Sequence, residues 1–169
     1  MKILASLLFC LLSACTTLPK QTQTMTYSNS IPNAWSIQGR ASTTHNNTTE
    51  ITDFKLSRKD KHSQLTLTGS LGFGQIKIQQ TPLGLLVDEE PSHLSLQAWM
   101  QTKLGWQLPI NELENVIFKH RFTSEQDWQI KISRYQTINN ITYPKIIRLN
   151  HPDKHIKIKL MLREINRLK

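Results

Sequence analysis

Apolar and polar residues alternate along most of the chain. "WSIQGRA" puts Trp35, Ile37 and Ala41 on one face, with Gly39 between them allowing a bulge or a close approach. The pairs Phe54/Leu56, Leu65/Leu67 and Ile76/Ile78 repeat the period of two, as do Trp128, Ile130 and Ile132 in "WQIKISRY". Further on, "HIKIKLMLREI" sets Ile156, Ile158, Leu160 and Leu162 against Lys157, Lys159, Met161 and Arg163. Short strands joined by polar turns predict an antiparallel sheet with one wet face.

The middle of the chain changes period. "PSHLSLQAWMQTKLGW" offers Ser92 as an N-cap, apolar Leu96, Trp99 and Met100 at helical spacing, and Gly105 as a stop. "PINELENVIF" pairs Asn111 with Glu114 in a capping-box pattern, followed by Leu113, Val116 and Ile117 on one stripe. Two short helices therefore interrupt a strongly curved sheet.

"GSLGFG", Gly69 to Gly74, lies between two alternating stretches. Its order is G-x-x-G-x-G, and a strand-like "QIKIQQ" follows it, whereas a phosphate-binding loop opens a helix. A β-hairpin is the simpler reading. It leaves the apolar Leu71 and Phe73, on either side of Gly72, at a turn in solvent.

The N-terminus has another character. Lys2, the apolar run Ile3 to Leu12 and the small-residue exit "SAC" read as a secretory signal, too short to span a membrane comfortably. Leu12-Ser13-Ala14-Cys15 resembles a bacterial lipobox, which makes residues 1–14 the signal peptide and Cys15 the lipidated first residue. Residues 15–34, polar and broken by Pro19 and Pro32, form the tether, and residues 35–169 a single domain. Neither Cys10 nor Cys15 is then left to form an internal disulfide.

The formal net charge of the whole chain is +9, and loss of residues 1–14 removes only Lys2 from it. A basic surface favours acidic partners, from anionic head groups to an acidic carrier. Export with a lipid anchor excludes nucleic acid. The segment from Lys145 to Lys169 is especially basic, with only Asp153 and Glu164 opposing its cations.

Catalytic chemistry finds no foothold. The six histidines fall in expected turns or at element ends and are read as solvated, and no H-E-x-x-H or G-x-S-x-G pattern occurs. Asp88, Glu89 and Glu90 read as a solvated turn. The four tryptophans admit two readings, as core packing or as the lining of an apolar cavity between sheet and helices.

In order, the motifs are the lipobox, the tether, "WSIQGRA", "LTGSLGFG", "AWMQTKLGWQLPINEL", "DWQIKISRY", "YPKIIRL" and "IKIKL". This arrangement resembles the LolB family of outer-membrane lipoprotein receptors, over essentially the whole chain. The resemblance implies an incomplete, half-open antiparallel β-barrel covered by short helices around an apolar cavity, with no enzymatic activity, cofactor or metal. It also implies a receptor on the periplasmic face of the outer membrane of a Gram-negative cell. Such a receptor takes lipoproteins from a LolA-like periplasmic carrier, holds their acyl chains and inserts them into the inner leaflet. The expected cavity residues are Trp35, Phe54, Leu67, Ile78, Trp99, Trp106, Trp128 and Ile130. Leu71, Gly72 and Phe73 form the expected membrane-insertion loop, and the protein is expected to act as a monomer. Val116 and Lys119 stand where the family usually has Trp and Gly, and Ser70 where it has Pro, so the region around "VIFKHRF" is expected to be remodelled. The rival readings are a structural lipoprotein with a filled β-core and, more remotely, an enzyme acting on cell-wall or lipid substrates.

Overall fold

β1 (Ala34–His45) runs through the middle of a nine-stranded antiparallel sheet, and its sequence suits that place. Trp35, Ile37, Ala41 and Thr43 are buried on one face, while Gln38, Arg40 and Ser42 lie on the other. The computed structural model describes residues 25–69, 74–121 and 127–168. On one side of β1 come β2 (Thr48–Lys59), β3 (His62–Gly69), β4 (Gln75–Thr81), β5 (Gly84–Val87) and β6 (Glu90–Ser92). On the other come β9 (Ile156–Leu168), β8 (Ile141–His151) and β7 (Gln129–Ile138). β6 and β7 are the two edges, so the sheet is open.

Register carries the apolar pattern across the sheet. Ile37 faces Leu56, Leu56 faces Leu65, and Leu65 faces Ile78, which puts one row of side chains on the concave face. On the far wing Ile132 faces Ile147, which faces Leu160 and then Ala41. Such cross-strand pairs are the unit of sheet stability. Asn46–Asn47 and Asn139–Asn140 close two of the hairpins with both residues at positive φ, the geometry that matches strand twist.

Gly39 marks the sharpest adjustment. The β1–β9 register shifts between Gln38 and Gly39. A Cβ on Gly39 would lie 2.4 Å from the Met161 carbonyl oxygen and 3.0 Å from the Phe54 ring. Only glycine permits this approach of ring and backbone.

The cover is α1 (Leu96–Leu104), α2 (Ile110–Glu114) and a π-helical turn at Asn115–Lys119. Leu96, Trp99 and Met100 are buried, and Gly105 ends α1 at φ 74° with its N–H on the Gln101 carbonyl. Two capping expectations fail. Ser95, not Ser92, caps α1 by accepting from the Ala98 N–H at 3.2 Å, because Ser92 is the last residue of β6. Nor does Asn111 cap α2, whose preceding residue is Pro109. The Glu114 carboxylate instead accepts from Arg58 Nη1 at 2.6 and 2.8 Å, and this largely buried group ties α2 to β2. β5 and β6 also escape the period-two reading, being only four and three residues long. Asp88 and Glu89 form the turn between them, with Asp88 Oδ1 accepting the Lys77 N–H, while Glu90 belongs to β6.

Candidate functional site

Beneath the cover the concave face is mostly apolar, with the Arg58–Glu114 pair set between β2 and α2, and it is not equally filled. A cavity of about 40 Å³ lies between β1, β2, β3 and β9 on the sheet side and the helical cover above, and every residue around it is apolar. Ile37, Phe54, Leu56, Leu65, Leu67 and Leu162 contribute from the strands; Met100, Leu104, Trp106, Leu108, Leu113 and Ile117 contribute from the cover. The register explains the grouping. Gly39 faces Phe54, Phe54 faces Leu67, and the missing side chain at Gly39 lets the Phe54 ring cross β1. Phe54, Leu67, Leu104, Trp106 and Leu108 are only half-buried, so this end of the face is thinly covered.

The other end is closed. Trp35 is fully buried, with its ring 5.4 Å from Phe118, and Phe118 meets Tyr143 edge-on at 6.2 Å. The π-helical turn puts Val116, Ile117 and Phe118, three consecutive residues, inside. The region expected to be remodelled around Val116 and Lys119 thus takes up an extra residue per turn and fills the core with it. Arg167 lies over Phe118 at 5.9 Å and donates through Nε to the Tyr143 hydroxyl at 3.0 Å. It also holds the incoming N-terminal segment, donating to Ser28 Oγ and to the Ser30 carbonyl.

The expected cavity residues therefore divide. Phe54, Leu67 and Trp106 come together around the cavity. Ile78 is buried further along the same row as Leu65, and Trp99 is buried under α1 away from the cavity lining. Trp35 belongs to the filled aromatic group, Trp128 packs edge-on against His151 at 5.2 Å, and Ile130 faces Leu149 on the far wing. Leu104 and Leu108, outside the expected set, also border the cavity; their place on either side of Trp106 in "LGWQL" is the sequence signal for them. Cys15, Leu71, Gly72 and Phe73 lie outside the described residues. The strands that flank the loop are joined at Gly69, whose N–H donates to the Gly74 carbonyl at 3.1 Å, two residues beyond the cavity residue Leu67.

Two histidines contradict the expectation of solvation. His151 is buried against Trp128. His120 ends the π-helical turn, donates through Nε2 to the Thr142 carbonyl at 3.1 Å and packs between Tyr27 and Tyr135. Burial lowers its pKa below the ordinary 6.5, and the hydrogen bond to Thr142 only partly offsets this. His151 sits at the end of β8 and His120 at the end of the π-helical turn, each packed against aromatic side chains rather than in solvent. Among the described residues no cluster of three His, Cys, Asp or Glu side chains is placed to hold a metal.

The family model described as Outer membrane lipoprotein LolB matches residues 33–120, which span β1, β2 and β3 of the cavity wall, though not β9, and the whole helical cover. The chain belongs to the LolB family. Its relatives include the Outer-membrane lipoprotein LolB of Coxiella burnetii strain CbuK_Q154, 25% identical, with 89% of this chain and 86% of that protein covered. The LolB of strain RSA 493 / Nine Mile phase I is 25% identical over 88% of this chain and 85% of its own length. Among solved structures, the LolA superfamily protein NE2245 from Nitrosomonas europaea aligns with a TM-score of 0.48 and 10% identity, covering 83% of this chain and 89% of its own. A DUF1329 family protein from Desulfovibrio piger ATCC 29098 aligns with a TM-score of 0.45 and 9% identity, over 80% and 86%. No helix among the described residues of this LolB-family chain is long and apolar enough to cross a membrane.

Proposed function

We propose that this protein is an outer-membrane-anchored receptor that accepts lipoproteins from a periplasmic carrier and passes them into the membrane. The observation that carries the proposal is the cavity with a wholly apolar lining at the thinly covered end of the sheet, in a chain of the LolB family. Burying an acyl chain stabilises it by about 0.8 kcal/mol per CH₂, so such a chain crosses water only inside a shield. At about 40 Å³ the cavity holds a few water-sized volumes, not a long acyl chain. Acceptance therefore requires the cover to lift, and the half-buried Leu104, Trp106 and Leu108 are the side chains that move aside at least cost. In this reading Cys15 carries the lipid anchor, Phe54, Leu67 and Trp106 meet the cargo's acyl chains, and Leu71 and Phe73, around Gly72, enter the bilayer when cargo leaves.

The small resting volume also favours a second reading, a structural lipoprotein whose core is simply packed. Purified protein distinguishes the two in a transfer assay from a loaded carrier. Leu67→Glu should abolish acceptance, because a charge in an apolar site is costly, while the exposed Lys55→Glu leaves it intact. Leu71→Glu should preserve acceptance and block insertion into liposomes. Equal acceptance by all three variants contradicts the receptor reading.

A further inference from the structure

The outer face of the β7–β9 wing carries cations in register. Lys131 on β7 faces Arg148 on β8, and Arg148 faces Lys159 on β9. Lys157 lies two residues from Lys159, on the same side of the same strand. All four side chains are exposed, and none has an ion-pair partner among the described residues. Adjacent strands are about 4.8 Å apart, so the three aligned cations fall within a strip about 10 Å wide. Like charges directly opposite one another destabilise a sheet. Among the described residues no carboxylate pairs with these cations to offset that cost. The neighbouring Asp53 is already taken by Arg40, at 2.9 and 3.0 Å, and by Arg163 at 3.3 Å, which adds net positive charge beside the row. The row continues through Ser42 to Ile51, an apolar side chain left 45% exposed.

We infer that this strip is a docking surface for anionic phospholipid head groups, and that it sets the orientation of the domain on the membrane. Two observations favour a bilayer over an acidic protein. The row itself consists of long flexible cations with no interleaved acceptor to fix a partner's register, as suits a diffuse plane of charge. The chain outside the described domain also leads to this wing: the Thr142 N–H of β8 donates to the Thr26 carbonyl at 2.7 Å. Arg148 is six residues along the same strand, about 20 Å away at the strand rise. The ten residues from Cys15 to Met25 reach at most about 35 Å, so a lipid on Cys15 holds this wing within reach of the bilayer. This last step rests on the anchor reading of the proposed function; the charge row does not.

The test uses the full lipidated chain on vesicles of phosphatidylcholine alone or mixed with phosphatidylglycerol. A fluorophore on Ser42→Cys, in the row, and one on Gln97→Cys, exposed on α1, report shielding from an aqueous quencher. The expected result is shielding at Ser42 alone, only on phosphatidylglycerol vesicles, and released by salt. Each cation removed should lower the docked-to-free ratio roughly fivefold. The variant Lys131→Gln/Arg148→Gln/Lys159→Gln should therefore lower it on the order of a hundredfold while keeping its melting temperature. Equal shielding on both lipids, an unaffected triple variant, or shielding that needs an added acidic protein would overturn the inference. A failure of the anchor reading looks different: no palmitate label and no flotation with phosphatidylcholine vesicles, while flotation with phosphatidylglycerol vesicles still reports the strip.

Discussion

Trp35 and Trp106 belong to the same apolar face and meet opposite circumstances. Trp35 is backed by Phe118, with Tyr143 beyond it and Arg167 closing the outside. Trp106, in the short connection after α1, borders a cavity and stays half-buried. Each end holds a tryptophan among apolar neighbours; the difference lies in what covers them. A π-helical turn drives three consecutive side chains inward, Val116 and Phe118 over the first and Ile117 to the edge of the cavity, whereas α1 and the connection beyond it cover the second more thinly. Side chains beside a void lack partner atoms on one side and forgo that dispersion energy. The filled end therefore supplies stability, and in the proposed function the cavity end is where an acyl chain would recover what packing left unused.

Substitutions separate the ends by size of effect. Phe118→Ala should cost about 3–5 kcal/mol, the usual range for emptying a buried aromatic site, and denaturant melts will read it. Gly39→Ala should cost about 1–3 kcal/mol through overpacking, since the new Cβ meets the Met161 carbonyl and has no room to yield. It should also push the Phe54 ring toward the cavity and weaken acyl-probe binding, which joins the two ends through one residue. Leu67→Ala should cost about 1 kcal/mol, less than a fully buried leucine, yet change probe affinity more than Phe118→Ala does in the folded fraction. A stability loss at Leu67 as large as that at Phe118 would erase the contrast.

The smallest effect is a dependence on pH at the filled end. The folded-state pKa of His120 lies below 6.5 because burial disfavours the imidazolium. The unfolded chain therefore takes up its proton first. Stability is full at neutral pH and declines as pH falls below about 6.5 toward the folded value. His120→Phe should flatten this part of the stability profile, and an unchanged profile would assign the effect to another group.

Much of the fold was legible because it is written in side-chain period. Ile37, Leu56, Leu65 and Ile78 are each read correctly as inward-facing from alternation alone, and Gly39 as a close approach. β5 and β6 were not legible, since strands of four and three residues scarcely contain a period. The capping box failed because Glu114 has a stronger claim on it from Arg58, fifty-six residues earlier in the chain. The cavity was harder still. Periodicity places Trp35, Trp99 and Trp128 inside, the resemblance adds Trp106, and only three-dimensional packing decides which of them meets a void. The π-helical turn, which determines this, follows a run of ordinary helix formers and has no signature of its own.

The most direct test of the contrast is quenching of tryptophan emission by a bromine-bearing acyl chain, which acts only at contact. The unmodified protein should show a saturable partial quench. In Trp106→Phe the chain should still bind, but the remaining emission from Trp35, Trp99 and Trp128 should not respond. Undiminished quenching in Trp106→Phe would place the acyl chain elsewhere on the molecule and contradict the account.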